Sequence, residues 1–130
     1  MGNWRKSPPS LIALFDAVLP EDPRIERRKM FGYPCAFVNG NMFTGLHQED
    51  FIVRLSEDDR TRIRDDLGAQ TFEPMAGRPM REYVALPEDV LEDEETVRGW
   101  VGRALDFAGA LPPKEKKSPK ERKPSKKKAG

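Results

Sequence analysis

The sequence predicts an α+β protein: an antiparallel sheet of four to five strands with helices packed mainly on one face. Three observations carry this. Apolar residues recur with a helical period, then with the alternation of strands, then with a helical period again. The connections are of hairpin length, which joins antiparallel neighbours. The 130 residues suffice for one domain with a core of its own, without disulfide or metal staples.

Ser7, Pro8 and Pro9 form a helix entry, and Leu11, Leu14, Phe15 and Val18 then recur as one apolar stripe that Pro20 ends. After the turn "PEDP", "RIERRKMF" runs extended, with Ile25 and Phe31 on one face and Met30 on the other. Asn39-Gly40 suits a two-residue type I′ turn, because both central positions need positive φ. Pairing Val38 with Asn41 then places Tyr33, Cys35, Phe37, Met42, Thr44 and Leu46 on one face, expected to be the core. The other face, with Pro34, Ala36, Val38, Asn41, Phe43 and Gly45, is mixed and awaits a helix or another subunit.

"HQED" makes the next turn, and "FIVRLS" alternates as a half-buried strand. Ser56 caps "EDDRTRIRDDL", whose first-turn acids suit the helix dipole and whose end is marked by Gly68. "QTFEPMAGRP" has neither period and reads as a loop with at most a brief strand at Thr71-Phe72; "MREYVALP" is the last strand. Asp93 caps a helix with Val97, Trp100, Val101, Ala104, Leu105 and Ala108 on one side, stopped by Pro112-Pro113.

The chain divides at residue 113. Residues 114–130 hold nine Lys/Arg against two Glu, a net +7, and the preceding 113 residues hold fourteen against twenty, a net −6. A near-neutral total hides an acidic body and a basic tail. The tail has no apolar residue except Ala129 and is expected to be disordered. Lys114, Lys116, Lys117, Lys120, Arg122, Lys123, Lys126, Lys127 and Lys128 are the candidate nucleic-acid contacts, indifferent to base sequence; the same composition also fits a solubilising extension.

Cys35 is the only cysteine, which excludes an internal disulfide and any multi-cysteine zinc site. No signal peptide and no apolar run of membrane length is present, so a cytoplasmic protein is expected. Lys6 stands where a myristoylation pattern wants Ser or Thr. Cys35 and His47 are the available nucleophile and base, but the hairpin places Cys35 mid-strand on the core face and His47 in the following turn, so Cys35 is read as packing. The acids follow no calcium-loop spacing, and the glycines build no phosphate loop. Arg27, Arg28 and Lys29 beside Met30 and Phe31 could meet single strands, yet charges on an edge strand also deter aggregation, which is the reading taken. No catalytic residue, cofactor or metal ligand is assigned.

"KMFGYPCAFVNGNMFTGL", then "VRL", "FEPMAGRPMREYVALPEDVLED" and "WVGRALDFAGALPPK", resembles the N-terminal domain of the TfoX/Sxy family over residues 8–114. Its motif positions here are Lys29, Met30, Phe31, Gly32, Asn39, Gly40, Asn41, Met42, Gly77, Arg78, Pro79, Met80 and Trp100, taken as mainly structural. The resemblance implies an α+β domain from bacterial regulators of natural competence, whose full-length members act with the cyclic-AMP receptor protein. Two features depart from it: a Lys-rich segment stands in place of the regulators' second domain, and Tyr33 follows Gly32 where the motif usually has Gly or Ser. The reading that results is a non-enzymatic regulatory module that meets a protein, a transcription component, through the mixed hairpin face, with tail contact to DNA. The alternatives are a small-molecule or metal-dependent enzyme with a site between sheet and helices, and a homodimer through Val38 and Phe43.

Overall fold

The computed structural model describes residues 7–30, 32–75 and 77–112, apart from the side chains at 74, 75 and 78. Ten elements follow one another: α1 Pro9–Val18, β1 Ile25–Met30, β2 Tyr33–Val38, β3 Asn41–His47, β4 Asp50–Arg54, α2 Glu57–Leu67, β5 Gln70–Met75, β6 Arg78–Ala85, α3 Glu88–Leu91 and α4 Glu94–Gly109. The strands form one antiparallel sheet in the order β1-β2-β3-β4-β6-β5. It has six strands rather than four to five, because the segment read as a loop is a hairpin, with Gly77 at φ 79° in its turn.

Local signals explain most boundaries. The Ser56 hydroxyl accepts from the Asp59 N–H at 3.2 Å, and Gly68 ends α2 in the left-handed conformation. The Asp93 carboxylate accepts from the Thr96 N–H and starts α4. Asn39 and Gly40 have φ of 53° and 79°, the two positive values of a type I′ turn, and Val38 pairs with Asn41 as expected.

Past the next pair, Phe37–Met42, that register slips. Ala36 pairs with Thr44 whereas Phe37 pairs with Met42, so Phe43 is an extra residue in β3. The bulge exchanges the faces beyond it. Gly45 and His47, not Thr44 and Leu46, share a face with Tyr33 and Cys35, and Thr44 turns to the opposite side, where its hydroxyl donates to the Ile52 carbonyl at 2.8 Å. That opposite side, expected to be mixed, is the main core. Val38, Phe43, Phe51, Val53 and Val84 are fully buried there against Val97, Val101, Ala104 and Ala108 of α4, with Phe15 and Val18 of α1. Val38 and Phe43 are therefore covered by this chain's own helices and cannot form the expected dimer contact.

The hairpin turn also holds the end of α4. Asn39 Nδ2 donates to the Gly109 carbonyl at 3.3 Å, and Asn41 Nδ2 donates to the Pro112 carbonyl at 3.1 Å. The Gly109 carbonyl, at the C-terminus of α4, has no partner within the helix, and Asn39 supplies one, while Asn41 holds the segment just beyond it.

Candidate functional site

The register leaves a second sheet face that no described helix covers. Partners across the ladders share a face, so Glu26, Arg28 and Met30 of β1 lie with Phe37, Cys35 and Tyr33 of β2, followed by Met42, Gly45 and His47 of β3, Ile52 and Arg54 of β4, and Tyr83 of β6. On this face a cavity of about 140 Å³ opens, lined by Met30, Tyr33, Cys35, Met42, Gly45, Leu46, His47, Ile52, Phe72 and Met80. Edge strand β1 and the β5–β6 hairpin both contribute to it, although they stand at opposite ends of the sheet. The sheet is therefore curved around the cavity, and Ile52 is buried as thoroughly as its neighbours Phe51 and Val53. β4 is covered on both faces, where the sequence suggested one.

Aromatic rings make the far wall. The His47 ring lies 5.3 Å from the Tyr33 ring and 5.3 Å from the Phe72 ring, between the two. Gly45 provides room: a Cβ there would lie 3.0 Å from that of Cys35. Tyr83 fixes the lower part by donating to the Met42 carbonyl at 2.9 Å, and Arg54 is paired with Glu82 at 2.6 Å.

Cys35 and His47, which the sequence placed apart, line the same cavity. Cys35 is only 3% exposed and its thiol contacts the Arg28 carbonyl at 3.4 Å. Burial pushes the thiol pKa above its ordinary value, and the Arg28 charge opposes this only in part. The thiol form prevails at neutral pH, in keeping with a sulfur that packs.

The motif positions separate into groups. Met30, Met42 and Met80 meet in the cavity wall. Gly32 (φ 85°), Asn39, Gly40 and Gly77 serve turns, and Asn41 secures the end of α4. Lys29 is exposed on β1, Pro79 is exposed on β6, and half-buried Trp100 packs against the core beneath the Arg103 guanidinium. Phe31 and the side chain of Arg78 lie outside the described residues, as do Lys114, Lys116, Lys117, Lys120, Arg122, Lys123, Lys126, Lys127 and Lys128. Sequence reasoning missed the meeting of the three methionines. Its one available signal was Gly45, since a glycine inside a strand marks close approach.

β1 is the basic edge. It carries Arg27, Arg28 and Lys29, all exposed, and no other described strand pairs with its outer side. Arg27 is paired with Asp16 of α1, while Arg28 pairs with Glu26 and lies 4.6 Å from the Phe37 ring centre. Met30, at its end, is 39% exposed and forms the cavity's rim. Among the described residues no group of three or more His, Cys, Asp or Glu is placed to hold a metal ion, and no helix is long and apolar enough to cross a membrane.

A family model described as the TfoX N-terminal domain matches residues 17–108. No curated protein matches the chain.

Proposed function

Because the chain belongs to the TfoX N-terminal domain family, we propose that it is a non-catalytic regulatory module that binds a protein of the transcription apparatus. The observation that carries the reading is the face that no described helix covers, where three short motifs of the family resemblance place methionines around one apolar cavity beside a strand edge that no described strand pairs. Methionine is unbranched and adapts its shape, which suits a surface that receives another side chain. A buried thiol with a raised pKa supports a packing role for the one cysteine.

The expected partner surface moves accordingly. The hairpin face first considered is filled by α4, and the helix-free face takes its place. DNA contact belongs to residues 114–130 in this proposal: the acidic body repels phosphate, and the tail's net +7 attracts it without regard to sequence. Competence regulation is the setting the family suggests.

The test is affinity capture from the native cell with the intact chain and with a 1–113 truncation, together with DNA binding across a salt series. The proposal expects both forms to retain the same transcription protein, and only the intact form to bind DNA, with a log-affinity against log-salt slope of roughly −6 if about seven cations engage. A metabolite recovered in stoichiometric amount with both forms would favour an enzyme instead. Equal DNA affinity for both forms would remove the tail from the account.

A further inference from the structure

We infer that the outer edge of β1 receives an acidic, extended segment of the protein partner, pairing as an added strand and placing one apolar side chain beside Met30 in the cavity. The inference rests on the interaction-module reading and specifies the chemistry of its partner.

Three independent features converge on this occupant. β1 is a six-residue edge strand, and only its β2 side is paired among the described strands, so its outward backbone groups can extend the ladder. The cavity volume of about 140 Å³ is close to the ~150 Å³ of an apolar protein cavity that admits benzene. One aromatic or branched aliphatic side chain therefore fits, and Met30, with three rotatable bonds at the rim, can move to admit it. The charge along the edge then selects the partner. Arg28 shares the cavity's face with Met30, where an incoming acid would take the place of Glu26 as its partner, while Lys29 lies on the other face beside Arg27, which Asp16 already holds.

The alternation of a strand gives the partner a spacing. A residue beside Met30 and a residue beside Arg28 are two positions apart on one face. The partner segment thus needs an apolar anchor and an acid two residues away, with a further acid on the alternate face for Lys29. A second copy of this chain is a poor occupant, because antiparallel pairing of two β1 edges would set Arg27 and Arg28 against the same residues.

The probe is a positional-scanning library of acetylated, amidated heptapeptides, tested on the intact chain at 0.15 M salt as a rough physiological value. The expected selection holds an aromatic or branched aliphatic residue two positions from Asp or Glu. The best peptide should protect the outward-pointing amides of β1, which alternate along the strand, from hydrogen exchange. It should lose at least about tenfold in affinity on Arg28→Glu, on Met30→Lys, and on scrambling at constant composition, an order of magnitude that corresponds to one lost charged or anchoring contact. Both substitutions are at exposed positions, and circular dichroism establishes that each variant folds. Affinity that survives scrambling or Arg28→Glu would assign binding to the tail's charge alone and overturn the inference. A basic selection that protects α1 would overturn the edge while leaving the interaction module standing. Failure to select any peptide would overturn the inference, and the capture experiment above would still judge the module separately.

Discussion

Gly45 of β3 faces Cys35 of β2 so closely that a methyl group on Gly45 would sit 3.0 Å from the Cys35 Cβ. The pair sits in the cavity wall and sets how near the two strands' backbones approach there. Gly45→Ala is expected to destabilise the fold by about 1–3 kcal/mol, the usual cost of overpacking. Replacing Cys35 by Gly in the same chain removes the opposing Cβ, so the double variant should be more stable than the sum of the single effects predicts. Urea unfolding of the four chains measures the coupling; strict additivity would contradict the contact.

The segment that follows α4 is held by Asn41. Asn41→Ala removes the donor to the Pro112 carbonyl from a nearly buried position and should cost about 1–2 kcal/mol. Hydrogen exchange should rise first at residues 108–111. Asn39→Gly keeps the positive φ and loses only an exposed 3.3 Å bond, so a change of a few tenths of ~1 kcal/mol is expected. Equal losses in the two variants would show that turn conformation, and not the tie to α4, governs this corner.

Alkaline stability follows from buried Cys35 and half-buried Tyr83. Burial raises the pKa of Cys35 and that of Tyr83 above their ordinary values. In the unfolded chain these groups ionise first, so the folded state binds more protons and stability falls with rising pH. The contribution is fully present below the unfolded values and is lost as pH rises through the folded ones. Urea midpoints measured from pH 7 to 11, roughly spanning the Cys and Tyr ranges, should decline above about pH 9. Cys35→Ala and Tyr83→Phe should each flatten that decline. A slope unchanged in both variants would place the titrating groups elsewhere.

Helix α2 offers a simpler test. Ser56 accepts from the Asp59 amide, so Ser56→Ala should cost about 1 kcal/mol. Ser56→Asp should retain most of the stability by keeping the acceptor. A thermal melt of both variants checks this, and equal destabilisation would remove the cap from the account.

Much of this architecture was legible where the signal was local. The Asn39-Gly40 turn, the Val38–Asn41 pairing, the Ser56 and Asp93 caps and the Gly68 stop each depend on a few adjacent residues. What escaped was non-local. Phe43 reads as an ordinary strand residue, and only packing against the helices makes it a bulge that reverses the faces of Thr44 and Gly45. The β5–β6 hairpin lacks alternation because its register shifts twice, so its residues do not keep a period of two. The cavity draws on all six strands and the long-range bending of the sheet, which no single segment encodes.

The central claim is that Met30, Met42 and Met80 wall a cavity that can admit an apolar group. The most direct measurement is a titration of the intact chain, labelled with ¹³C at its methionine, valine and cysteine side chains, with benzene followed by nuclear magnetic resonance. The methyl signals of Met30, Met42 and Met80 should shift together and saturably, along with the Cys35 β-carbon, while those of Val97 and Val101 in the helix-covered core stay in place. Unmoved methionine signals, or shifts confined to the valines, would contradict the account.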